Sequence, residues 1–158
     1  MRSFLLPFTT FVFLFSSTVF GEEVKDVGLV CKRQNTEIPT HIAFWFKGGK
    51  KMEWYERDIT DEDNDGDDVE YSFSEGGSKR ASYTASDQYI KVSHKGDDGK
   101  TYSDWYEQID RFTLQMAEHF MGVDTTADCK VYSSKDGFLS QIQKVEADLR
   151  AFLKKRKI

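Results

Sequence analysis

The stretch that decides the fold is His41–Arg57, HIAFWFKGGKKMEWYER. Two runs carrying aromatic residues flank Gly48 and Gly49, the pattern of a β-hairpin. Its register follows from which pairing leaves one coherent apolar face. A strict two-residue turn sets Phe44 opposite Glu53 and Ala43 opposite Trp54, which mixes the faces; a loop one residue longer sets Phe46 against Met52 and Phe44 against Trp54. The longer loop is therefore expected. Trp45 and Tyr55 then fall on the opposite face, which another element must cover, or which remains an exposed aromatic patch.

The period of two continues on both sides. DVGLVCKR, Asp26–Arg33, reads as the first strand. VEYSFS alternates Val69, Tyr71 and Phe73 against Glu70, Ser72 and Ser74, and the turn EGGSK leads to a strand carrying Ala81, Tyr83 and Ala85. QYIKVSHK places Ile90 and Val92 on one face, GDDG turns the chain, and KTYSDWYEQI returns with Trp105 and Ile109 in phase. The apolar phase then switches to Phe112, Leu114 and Met116, so a bulge or tight bend belongs at Asp110–Arg111. Seven or eight such strands, separated by Gly and Asp turns at roughly ten-residue intervals, predict a mainly β fold: one antiparallel meandering β-barrel or sandwich.

The last segment changes period. In SSKDGFLSQIQKVEADLRAFLKKRK, Phe138, Ile142, Val145, Leu149 and Phe152 form one apolar stripe at helical spacing. Ser133 and Asp136 can form a capping box, and Lys154, Lys155, Arg156 and Lys157 complement the negative end of the helix dipole. The stripe is expected to cover the open side or mouth of the sheet. Its alternatives are a helix-mediated dimer or, helped by the basic cluster, an anionic membrane surface.

The opening MRSFLLPFTTFVFLFSSTVFG has one basic residue, Arg2, then an apolar run and small polar residues, as a secretory signal peptide does. Val19 and Gly21 suit a cut before Glu22. The expected organisation is thus residues 1–21 as signal peptide, 22–133 as β-domain and 134–158 as a C-terminal helix packed on it. The net charge of −5 becomes −6 once Arg2 is removed. Such a surface is a poor match for nucleic acid. No further apolar stretch is long enough to span a bilayer, so the mature chain is expected without a transmembrane segment, secreted or periplasmic.

Cys31 and Cys129 are the only cysteines. An exported chain meets oxidising conditions, so the two are expected to form a disulfide; without a C-x-x-C motif, thiol exchange chemistry is disfavoured. The segment WYEQIDRFTLQM, Trp105–Met116, together with this early and late cysteine pair, resembles small exported bacterial proteins of unknown function that carry a late [I/L]-[N/D]-R-x-[S/T] segment. The resemblance implies an exported β-rich domain and supplies no activity. In that group a glycine turn usually follows, where this chain has Leu114. Arg111, at the bend, is suited to tying down backbone carbonyls and a carboxylate through its planar fork.

Chemistry-bearing motifs are sparse. Asp61, Asp63, Asp65, Gly66 and Asp67 match the first half of a calcium loop, but Ser72 stands where the bidentate glutamate is needed and neither flank reads as a helix. A hydrated acidic loop is the simpler reading, with calcium at Asp61, Asp63, Asp65 and Asp67 as its rival; no other cofactor is implied. His41, His94 and His119 are scattered, and each reads as a surface or satisfied side chain. Asp104 and Glu107 beside Trp105 can make a sugar-cleaving pair, but a charged strand face explains them at lower cost. The surplus of aromatic side chains favours an exported, non-enzymatic binding or adaptor domain for a small apolar ligand or a protein partner, with Trp45, Trp54, Tyr55, Trp105 and Arg111 as candidate ligand-binding residues. The alternative is a small secreted hydrolase with a carboxylate-based or calcium-assisted site. Monomer and helix-mediated dimer are both open.

Overall fold

A computed structural model describes residues 24–58, 70–74 and 81–156. The segment read as a signal peptide, the acidic stretch with Asp61, Asp63, Asp65 and Asp67, and the EGGSK sequence read as a turn lie outside these residues. Nine strands follow in order: β1 Lys25–Arg33, β2 His41–Gly48, β3 Lys51–Asp58, β4 Glu70–Ser74, β5 Ala81–Ala85, β6 Tyr89–Lys95, β7 Thr101–Asp110, β8 Gln115–Phe120 and β9 Val123–Tyr132. One helix, α1, spans Lys135–Arg156. None of this is a helix long and apolar enough to cross a membrane, among the described residues.

The strands form one antiparallel sheet in the order β4-β3-β2-β1-β9-β8-β7-β6-β5. It is a meander that curls until its ends meet: the seam lies between β4 and β5, where β5 comes against β3. The result is a nearly closed barrel with eight strands around its lumen and β4 as a short edge, the mainly β architecture that the alternation predicts. In the middle of the sheet β1 pairs with β9, and there Cys31 stands directly opposite Cys129 and is bonded to it. The bridge joins residues 98 apart in sequence. On the chain-entropy account such a loop contributes on the order of 4–5 kcal/mol by restricting the unfolded chain.

The β2–β3 hairpin has the longer-loop register: Phe46 faces Met52 and Phe44 faces Trp54. Gly48, Gly49 and Lys50 all take positive φ, which the two glycines make inexpensive. Phe44, Phe46, Met52 and Trp54 point into the lumen, packed with Leu29, Ile90, Val92, Ile109 and Met116. The bend expected at Asp110–Arg111 is a full chain reversal. Asp110 Oδ1 accepts the backbone N–H groups of Phe112 (2.9 Å) and Thr113 (2.8 Å), and Leu114 stands at φ 57°.

The helix lies on the outer surface of β1, β2 and β9 rather than over an open side or mouth of the sheet. Its stripe of Phe138, Ile142 and Val145 packs on Val30, Ala43, Trp45 and Tyr55, so the second aromatic face of the hairpin is covered. Each such buried side chain contributes about 1.5–3 kcal/mol relative to exposure. Gly28 makes the approach feasible: a Cβ there would sit 2.5 Å from Phe138 and 2.8 Å from Trp45. The cap is Ser134, one residue beyond the expected Ser133; its Oγ accepts the Gly137 N–H at 3.2 Å.

Candidate functional site

Because the meander alternates, the β1–β2, β6–β7 and β8–β9 connections all lie at one end of the barrel. Aliphatic and aromatic side chains fill the lumen toward the other end, whereas toward this one it becomes polar. Alternation carries Arg33 inward after Leu29 and Cys31, His94 after Ile90 and Val92, Glu107 between Trp105 and Ile109, and Glu118 after Met116. Four polar groups thus occupy the lumen, and each must be paired to offset its desolvation.

Arg33 and Glu118 form a two-pronged pair, Nε to Oε2 and Nη2 to Oε1 at 2.7 Å each, and Thr125 Oγ1 donates to Glu118 Oε2 at 2.9 Å. Above this floor opens a cleft of about 530 Å³, walled by Trp105, Phe120, Val123, Thr36 and Thr40. Its volume is in the range of small-molecule sites. Thr40 lines the cleft, and its hydroxyl is buried from solvent without a partner among the described residues. The rim is the β8–β9 hairpin, whose turn residues Met121 and Gly122 both have positive φ, at 49° and 79°. Phe120, Met121 and Val123 are all exposed there.

Behind Trp105 lies a second arrangement. His94 Nε2 sits 2.9 and 2.8 Å from the two carboxylate oxygens of Glu107, and both residues are fully buried. The Trp105 indole stacks on the imidazole, centroids 4.1 Å apart and planes 12° from parallel, while Trp54 meets it edge-on at 5.2 Å. A smaller cavity of about 210 Å³ lies against His94, Trp54, Tyr102 and Trp105, with Lys95 and Asp97 at its edge. Tyr102 carries the sole hydroxyl among the described residues lining it.

The five candidate ligand-binding residues divide into three places. Trp54 and Trp105 come together in the lumen at His94. Trp45 and Tyr55 lie under the helix, against Phe138 at 5.4 and 5.2 Å. Lys135 stands over both rings and bonds Glu53, which also pairs with Lys47 at 2.5 Å and accepts the Tyr55 hydroxyl at 3.0 Å. Burial alone would raise the Glu53 pKa; the hydrogen bonds from Lys135, Lys47 and Tyr55 outweigh it and hold the carboxyl below its ordinary value. Arg111 is at the far end of the barrel, where its guanidinium donates to the Ser86 carbonyl. That is the backbone-tying role its side chain suits.

Asp104 and Glu107 do not form a pair. Asp104 is exposed on the outside and Glu107 is buried inside, because residues three apart in a strand face opposite ways. The reading of Glu107 as part of a charged strand face is likewise corrected. Of the histidines, His94 is in the lumen, His119 pairs with Asp124 at 2.6 Å, and half-buried His41 lines a cleft between β2 and the helix beside Lys32 and Asp148. Burial, with Lys32 nearby, lowers the His41 pKa. Among the described residues no group of three or more His, Cys, Asp or Glu is placed to hold a metal ion.

No protein-family model, curated protein or solved structure matches this chain. The functional reading therefore rests on the geometry of the barrel and its open end.

Proposed function

We propose that the protein is an exported, non-enzymatic binding domain that takes a small, mostly apolar, uncharged ligand into the cleft at the open end of its barrel. The observation that carries this reading is the cleft itself: about 530 Å³, with Trp105, Phe120 and Val123 as walls and the Arg33–Glu118 pair as floor. The pair matters for ligand charge. Arg33 is already neutralised by Glu118, so the floor offers polarity without a net charge to attract an anion. Export is supported by the segment from Arg2 to Gly21 and agrees with a disulfide, which persists in oxidising compartments.

Titration with the neutral fluorophore N-phenyl-1-naphthylamine tests the reading. Saturable one-to-one binding is expected, weakened at least about tenfold, the equivalent of 1.4 kcal/mol, in a Phe120→Glu, Val123→Glu protein whose melting temperature is preserved. Absence of saturable binding, or binding indifferent to these rim changes, would refute it.

A further inference from the structure

We propose that the cleft between α1 and the sheet is a second binding site, for a small apolar carboxylate with a single negative charge. The inference goes beyond the cleft at the open end of the barrel and stands on different residues. On α1, Gln141, Lys144, Val145, Asp148, Leu149 and Phe152 recur at three- and four-residue spacing, which puts them on one face of the helix. Facing them are Lys32 of β1 and, from the start of β2, Pro39 and His41. Lys32 and His41 are register partners, and strand parity sets Lys32 on the helix side of the sheet, two residues after Val30. Together these residues enclose about 340 Å³, at the small end of the range of small-molecule sites.

The lining has an apolar part and a charged part. Val145 and Leu149 are buried and Pro39 and Phe152 half-buried, whereas Lys32, Lys144 and Asp148 are exposed and so within reach of an entering ligand. Two cations and one anion give the lining a charge of +1, in a mature chain of −6. Burial and Lys32 hold the His41 imidazole below its ordinary pKa, so it adds no charge near neutrality. Neither lysine is in an ion pair with a described residue. Asp128, opposite Lys32 on β9, accepts from the Gln34 side chain at 2.8 Å and lines the neighbouring cleft instead. One carboxylate brings the lining to neutrality, and its hydrocarbon part covers the apolar surface of Pro39, Leu149 and Phe152. A neutral ligand of the same shape leaves the two lysines uncompensated.

Calorimetric titration of the full chain with sodium octanoate and with octanamide, its uncharged counterpart, tests this at neutral pH. Octanoate is expected to bind saturably, at least about tenfold more tightly than octanamide, and to shift the ring signals of His41 in an NMR titration in step with the heat. Lys32→Gln with Lys144→Gln, both at exposed positions, should weaken octanoate at least about tenfold and leave the melting temperature in place. The Phe120→Glu, Val123→Glu protein, altered at the open end of the barrel, should bind octanoate as the parent does. Absence of saturable octanoate binding, equal affinity for the two probes, indifference to the lysine changes, or loss of octanoate binding in the rim variant would each overturn the proposal. Fluorophore binding at the open end is measured separately, so either site can fail without the other.

Discussion

The imidazole of His94 and the indole of Trp105 lie face to face, 4.1 Å between centroids, and the indole is the partition between two cavities. One side of the partition is the open apolar cleft; the other holds the buried His94–Glu107 pair. Trp105 in turn meets Phe120 of β8 edge-on at 5.2 Å, so the partition is braced by the rim of the mouth. Binding in the cleft is therefore placed to move Trp105 against His94.

The helix seat depends on Gly28. Gly28→Ala would drive a methyl group into Phe138 and Trp45, lifting the helix and lowering stability by about 1–3 kcal/mol, the usual cost of overpacking. Phe138→Ala, which empties the same place, should cost about 3–5 kcal/mol. Denaturant melts of the two variants check both values. Additivity in the double variant would contradict the contact, because Gly28→Ala should lose most of its penalty once Phe138 is gone.

Glu53 anchors the first turn of that helix and sets an acid limit on its docking. Its carboxyl titrates below the ordinary 4.5 in the folded chain, so the unfolded chain takes up the proton first as pH falls. The stability it contributes is whole above about pH 4.5 and is lost as pH drops through the folded value. Glu53→Gln should therefore melt earlier than the parent at pH 7, with the gap narrowing as the pH falls below 4.5. A gap independent of pH, followed by circular dichroism, would mean that the charge is not what matters.

Met121 adopts φ 49° with 71 % of its surface exposed. A left-handed conformation costs a non-glycine residue about 1–2 kcal/mol, and asparagine tolerates it better. Met121→Asn should accordingly raise stability by about 0.5–1 kcal/mol and weaken fluorophore binding, since it removes an apolar side chain from the rim. Equal stability and affinity in the variant would show that the tip neither carries strain nor touches ligand.

Much of this was legible along the chain. The hairpin register came from keeping Phe44, Phe46, Met52 and Trp54 on one face, and the helix from its stripe. The polar lumen was not read, although the same alternation held it: Glu107 is in phase with Trp105 and Ile109, and His94 with Ile90 and Val92. What hid them is that a charged residue in phase with apolar ones implies burial only if its partner is known, and Arg33 reaches Glu118 across 85 residues of sequence. The pairing of β1 with β9 in the middle of the sheet brings them together. Trp45 and Tyr55 were grouped with Trp54 and Trp105 by residue type, whereas strand parity places them beneath the helix.

The most direct measurement is backbone amide shift mapping by NMR with N-phenyl-1-naphthylamine added to the full chain. Occupation of the cleft predicts that the largest shifts fall on Arg33–Thr40 and Glu118–Thr125, with a further response at the indole N–H of Trp105, and that α1 stays still. Shifts centred on α1 and the outer face of β1 and β2, or spread evenly over the chain, would contradict a binding site at the open end of the barrel.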